Sequence, residues 1–112
     1  MHAFDVLADP VRRCIVEILS HGEHASGEIV EIVSRDFGIG QSAVSQHLKV
    51  LRENGFANVT VSGAKRIYAL DAEPLSEVDQ WLSQFRHYWG SRFEALATEV
   101  ARGKRKRKGR KK

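Results

Sequence analysis

Residues 41–55 decide the fold: Gln41-Ser42-Ala43-Val44-Ser45-Gln46-His47-Leu48-Lys49-Val50-Leu51-Arg52-Glu53-Asn54-Gly55. Val44, Leu48 and Leu51 recur at helical spacing and form one apolar stripe, while Gln41, Ser42, Ser45, Gln46, Lys49 and Arg52 fall on other faces. The pattern predicts a helix with a core side and a reading side. The exposed residue types suit duplex DNA: a Gln amide matches an adenine edge, Ser pairs with any base, and Lys and Arg hold guanine or phosphate. Asn54-Gly55 predicts the end of the helix, since Gly takes a left-handed turn without a Cβ penalty.

Working upstream, Ser26 is expected to cap a helix running to Phe37, with Glu28 in its first turn, where negative charge is favoured. Ile29, Ile32, Val33 and Phe37 supply its apolar face. Gly38 stops it, Ile39 is placed to plug back into the core, and Gly40 permits the turn into Gln41. Helix, tight turn and a second, polar-faced helix make the helix-turn-helix plan, in which the second helix does the reading. Before it, Asp9-Pro10 is a helix start signal, and Val11, Ile15, Ile18 and Leu19 give that helix a buried stripe ending near Gly22. Phe4, Val6 and Leu7 fit a brief first helix. Cys14 lies beside the stripe and is expected to be a small buried thiol; a redox role requires an exposed thiolate near Arg12 or Arg13.

Downstream of Gly55 the period changes to two. Phe56, Asn58, Thr60 and Ser62 alternate with Ala57, Val59 and Val61; Ser62-Gly63-Ala64-Lys65 reads as a turn, and Arg66–Leu70 as the returning strand. A two-stranded hairpin is marginal alone and must pack on the helices. Lys65 and Arg66 at its tip suit a wing laid over a phosphate backbone. Pro74 opens a last helix expected from Leu75 to Arg102. Its stripe of Leu75, Val78, Leu82, Phe85, Trp89, Phe93, Leu96 and Val100, widened by Trp81 and Tyr88, exceeds what a small domain covers and predicts pairing with a second copy.

With 112 residues there is room for one modest core, expected over 1–102 and followed by a basic, disordered tail over 103–112. The net charge of +4 conceals an asymmetry: Arg102–Lys112 carries +9 with no acid, whereas Met1–Ala101 carries nine basic and 14 acidic residues, a net of −5. The tail reads as a non-specific electrostatic anchor on nucleic acid. One cysteine excludes an internal disulfide and any CxxC motif. The absence of an apolar run of ~20 residues and of a signal-peptide layout predicts a cytoplasmic protein without a membrane partner. No nucleophile with a matching base, carboxylate pair or phosphate-cradling glycine loop is evident, so neither catalysis nor a cofactor is expected.

Together DPVRRCIVEIL, SGEIVEIV and QSAVSQHLKVLRENGFANVTVSGAKRIYAL resemble the winged helix-turn-helix repressors of the ArsR family, over roughly Phe4 to Val100. The resemblance implies a mainly α fold with a small β-hairpin, a homodimer built on the N- and C-terminal helices, and double-stranded DNA as partner. It places Gln41, Ser42, Ser45, Gln46 and Lys49 at the major groove, with Lys65 and Arg66 on the wing. It also places Phe4, Leu7 and the stripe from Leu75 to Leu96 in the dimer. The run WLSQFRHYWGSRFEAL resembles the subgroup with an aromatic C-terminal helix rather than the metal sensors. SGEIVEIV lacks their cysteine pair, and Asp79 and His87 stand eight residues apart with no second histidine after them, so no metal is expected. His21 and His24 read as solvated loop residues, and His47 as a packing and hydrogen-bonding residue. The resemblance names no small-molecule effector. The alternative is a winged-helix protein-interaction module that holds nucleic acid non-specifically through its tail.

Overall fold

The computed structural model describes residues 2–88 together with 90, 96, 99 and 100, and the chain divides into two units, 1–78 and 79–112. The first unit holds helices α1 (Ala3–Leu7), α2 (Pro10–Leu19), α3 (Ser26–Phe37) and α4 (Gln41–Glu53). It also holds strands β1 (His24–Ala25), β2 (Ala57–Ser62) and β3 (Lys65–Leu70), and the opening of α5 (Glu73–Ser83).

The start signals act as expected. The Asp9 carboxylate accepts from the backbone N–H of Val11 (2.8 Å) and of Arg12 (3.1 Å), and Pro10 occupies the first helical position of α2. Burial pushes the Asp9 pKa up, but those two N–H groups and the positive charges of His47 and Arg12 outweigh it, holding the carboxyl below its ordinary 3.8. The five-residue α1 is too short to stand alone. Its last carbonyls are taken by arginines of α2: Arg12 donates to Val6 O (2.9 Å) and Asp5 O (3.1 Å), and Arg13 to Leu7 O (2.6 Å).

One core serves the helices and the sheet, with Val6, Ile15, Ile29, Val33, Val44, Leu51 and Phe56 wholly or almost wholly buried. Val16, outside the expected stripe of α2, is buried too. Ala25 rather than Ser26 occupies the N-cap position of α3, and its N–H donates to the Glu28 carboxylate at 2.9 Å. Phe37 is a correction, being exposed at 38%. Each four-residue step along a helix turns about 40° beyond a full circle, so two steps carry Phe37 off the stripe of Ile29 and Val33. Gly38 then adopts a left-handed φ of 66°, and Ile39 packs against the core as expected.

The end of α4 is a Schellman motif: Phe56 N–H donates to Leu51 O (2.8 Å), Gly55 N–H to Arg52 O (3.2 Å), and Gly55 has φ 79°. The motif draws Phe56 inward beside Leu51. Phe56 and Ala57 are both buried, so the strand alternation begins at Ala57, one residue later than the sequence pattern suggests. The hairpin closes at Ser62↔Lys65, with Gly63 at φ 63°. It is not alone, because β1 pairs antiparallel with β3 through His24↔Tyr68 and Ala25↔Ile67, giving a three-stranded sheet in the order β1-β3-β2. His24 is therefore a strand residue rather than a loop residue, partly exposed, with its Nδ1 2.9 Å from Gly22 O.

The expected single helix from Leu75 to Arg102 is also corrected. α5 starts at Glu73 and ends at Ser83; Gln84 and Phe85 form a turn, and helical backbone resumes at Arg86. Local hydrogen bonds mark the break. Ser83 Oγ donates to Gln80 O (2.6 Å), Gln84 Nε2 to Trp81 O (3.0 Å), and Phe85 N–H turns to Leu82 O (3.0 Å), tightening the turn. Within 79–112, Trp81 meets Phe85 edge-on at 4.9 Å and Arg86 pairs with Asp79. Trp89, Phe93 and the tail lie outside the described residues. Among the described residues no helix is long and apolar enough to cross a membrane.

Candidate nucleic-acid interface

The turn at Gly38–Gly40 lays α4 across the unit with Val44, Leu48 and Leu51 facing the core. Burying three residues of one stripe leaves the others outside: Gln41, Ser42, Ser45, Gln46 and Lys49 are exposed and Arg52 is half-buried. Ser42, Ser45, Gln46, Lys49 and Arg52 line one open groove, whose far wall is Arg66 and Tyr68 of β3. Leu48 and Ser26 complete it, so the strand pairing that brings Arg66 beside α4 also builds the site.

No carboxylate lines this groove, although the body of the chain is acidic. Lys49, Arg52 and Arg66 set its sign, and among the described residues none of them is paired with an acid. Gly40 caps α4 without a side-chain hydrogen bond, leaving the first-turn N–H groups directed outward, an arrangement that favours anions. A polar, cationic groove bounded by a helix and a strand can hold a phosphate backbone against the strand and present Gln and Ser to base edges.

Gln41 and Lys65 do not line the groove; each is exposed at one of its ends, Gln41 opening α4 and Lys65 opening β3. Ser26 and Tyr68 are lining residues that the sequence reading did not single out. Ser26 carried a signal, a hydroxyl at a helix start, but its place in the groove depends on the pairing of β1 with β3.

The other candidates separate. Leu7, Leu75 and Val78 pack on the core of 1–78, whereas Phe4 is 41% exposed and stacks on the His2 ring at 5.3 Å. In the second unit Leu82 and Phe85 are half-buried, and Leu96 is 56% exposed. Cys14 is half-buried, and burial first, then the charges of Glu17 and Asp36, raise its pKa. Arg12 and Arg13, which could have activated the thiol, are committed to the carbonyls of α1. Asp79 is held by Arg86, and among the described residues no three His, Cys, Asp or Glu side chains gather as a metal site.

The family described as "Bacterial regulatory protein, arsR family" matches residues 9–59, from the cap of α2 into β2. The HTH-type transcriptional regulator Rv2034 of Mycobacterium tuberculosis (strain ATCC 25618 / H37Rv) is 41% identical over 83 residues, covering 74% of each chain. The transcriptional repressor SdpR of Bacillus subtilis (strain 168) is 27% identical over 84 residues, covering 75% of this chain and 89% of its own. Among solved structures, the ArsR family transcriptional regulator RHA00566 superposes with a TM-score of 0.65 at 28% identity, over 80% of this chain and 88% of its own. These relatives are regulators of transcription. With its polar-faced second helix and three-stranded wing, the chain belongs to the arsR family of bacterial regulatory proteins, as a winged helix-turn-helix transcriptional regulator.

Proposed function

We propose that the protein is a cytoplasmic repressor that binds a pseudo-palindromic operator as a homodimer, each protomer laying α4 in the major groove. The observation that carries this reading is the convergence of Ser42, Ser45, Gln46, Lys49 and Arg52 with Arg66 on one carboxylate-free groove. In this reading Gln46, Ser42 and Ser45 meet base edges, Gln41 and Lys49 flank them, and Arg52, Lys65 and Arg66 hold phosphates. The dimer buries Phe4, Leu7, Leu75, Val78, Leu82, Phe85, Trp89, Phe93 and Leu96; Phe4 and Leu96 are each exposed within their own unit, which supports this reading. Repression agrees with the role printed for SdpR. The basic tail grips flanking DNA without regard to sequence.

The test selects bound sequences from a random duplex pool with the protein ending at Arg102, at near-physiological salt. An enriched inverted repeat with half-sites roughly ten base pairs apart is the expected result. No enriched motif would mean that α4 does not read bases.

A further inference from the structure

The groove accounts for the outer face of α4 but not for His47, which is buried to four-fifths on the opposite flank, toward α2. There one guanidinium joins three elements. Arg12 of α2, only 14% exposed at its side chain, donates through Nε and Nη2 to Val6 O and Asp5 O of α1, while its Nη1 lies 3.5 Å from His47 Nδ1 on α4. The neighbours of His47 in sequence, Gln46 and Leu48, both line the groove. We propose that Arg12 positions the reading helix through His47, and that proton uptake at His47 Nδ1 releases this strut and weakens sequence discrimination. The inference rests on the DNA-reading role of α4.

The chemistry turns on one nitrogen with two competing partners. In the neutral ring the Nδ1 lone pair accepts from Arg12, which fixes the tautomer with its proton on Nε2. Once protonated, Nδ1 can only donate, and the Arg12 cation beside it becomes a repulsive neighbour. The acceptor within reach is Asp9 Oδ1, 4.0 Å away, the same oxygen that caps α2. Turning toward that oxygen takes His47 away from Arg12 and unties α4 from it. The charged groups facing His47 are Asp9 and Arg12 of α2; on α1, Asp5 is engaged with the N–H of His2. One turn away on its own helix, Ala43, Val44, Val50 and Leu51 carry no charge. Arg12 is thus a positioning residue, acting on DNA through His47 without touching it.

The test measures affinity of the full chain for its selected operator and for random duplex, from pH 8 to 5.5, alongside far-UV circular dichroism. The expected result for wild type is a ratio of operator to random affinity that falls roughly tenfold or more as pH drops, the scale of one hydrogen bond to a charged group. His47→Gln, whose amide oxygen can accept from Arg12 but does not titrate, is expected to keep the high ratio at every pH. Arg12→Gln is expected to lower the ratio at pH 8 and to leave it nearly flat. A wild-type ratio independent of pH, a His47→Gln ratio that falls in parallel with wild type, or an Arg12→Gln ratio matching wild type at pH 8 with a native spectrum would each overturn the inference. Should Arg12→Gln lose its fold, the His47→Gln profile decides alone. A wild-type ratio near one at pH 8 overturns the reading role of α4 itself, and with it this inference, and is distinct from a high ratio that ignores Arg12 and His47.

Discussion

Gln46 and Arg66 line the same groove, and in the proposed reading they have different tasks. Gln46, exposed on α4, is placed for a base edge; losing a specific contact costs about 1–3 kcal/mol at the position it reads. Gln46→Ala is therefore expected to relax the operator motif at one position and leave random-duplex affinity nearly unchanged. Arg66→Ala is expected to weaken operator and random duplex alike and to reduce the salt slope by about one. Competition binding on both duplexes checks the pair, and interchanged effects would reverse the assigned roles. Asp9 answers a stability question. Its pKa is depressed in the fold, so its charge stabilises fully above the ordinary value of 3.8, and that contribution is lost as pH falls through the lower folded value. Asp9→Asn keeps a capping oxygen without the charge. In urea unfolding, the stability gap between wild type and this variant should shrink as pH falls from about 5 toward 3; a gap independent of pH would remove the charge from the account.

At the scale of elements, the sequence disclosed what is local and hid what is paired at a distance. The stripe of α4, the Asp9-Pro10 start and the glycine stops at Gly38 and Gly55 were legible because each acts within one or two turns. β1 was not: His24-Ala25 has no strand pattern, and only Tyr68 and Ile67, more than forty residues later, make it one. The same distance hid Ser26 as a groove residue and Arg12 as a partner of His47. The break after Ser83 was hidden for another reason, since an apolar stripe does not register hydroxyl and amide side chains competing for backbone carbonyls. The turn between α3 and α4 offers an element-level prediction. Nothing lies near a Cβ placed on Gly38, so its φ of 66° alone penalises a side chain. Gly38→Ala should cost about 1 kcal/mol and lower the thermal midpoint by a few degrees, with the spectrum unchanged; Gly40→Ala, at an ordinary φ of −87°, should cost less. Equal losses would show that the left-handed φ of Gly38 does not govern the turn.

For the molecule as a whole, the separation of charge sets how reading and gripping divide. Met1–Ala101 is net −5, and its groove concentrates Lys49, Arg52 and Arg66, so the reading face approaches a polyanion with few cations of its own. Arg102–Lys112 carries +9, with no acid and no apolar residue. Each phosphate neutralised contributes about 0.9 to the slope of log affinity against log salt. Ending the chain at Arg102 removes eight cations, so full engagement of the tail predicts a slope shallower by about 7 per protomer. Operator and random duplex should weaken together, because the lost contacts carry no sequence information, and their ratio should survive. Fluorescence anisotropy on both duplexes over a salt series measures slope and ratio in one experiment. A ratio that collapses to one on truncation would assign DNA binding to the tail and make the groove of α4 a surface for a protein partner. An unchanged slope would free the tail from DNA and leave recognition entirely to the acidic body and the cationic groove of α4.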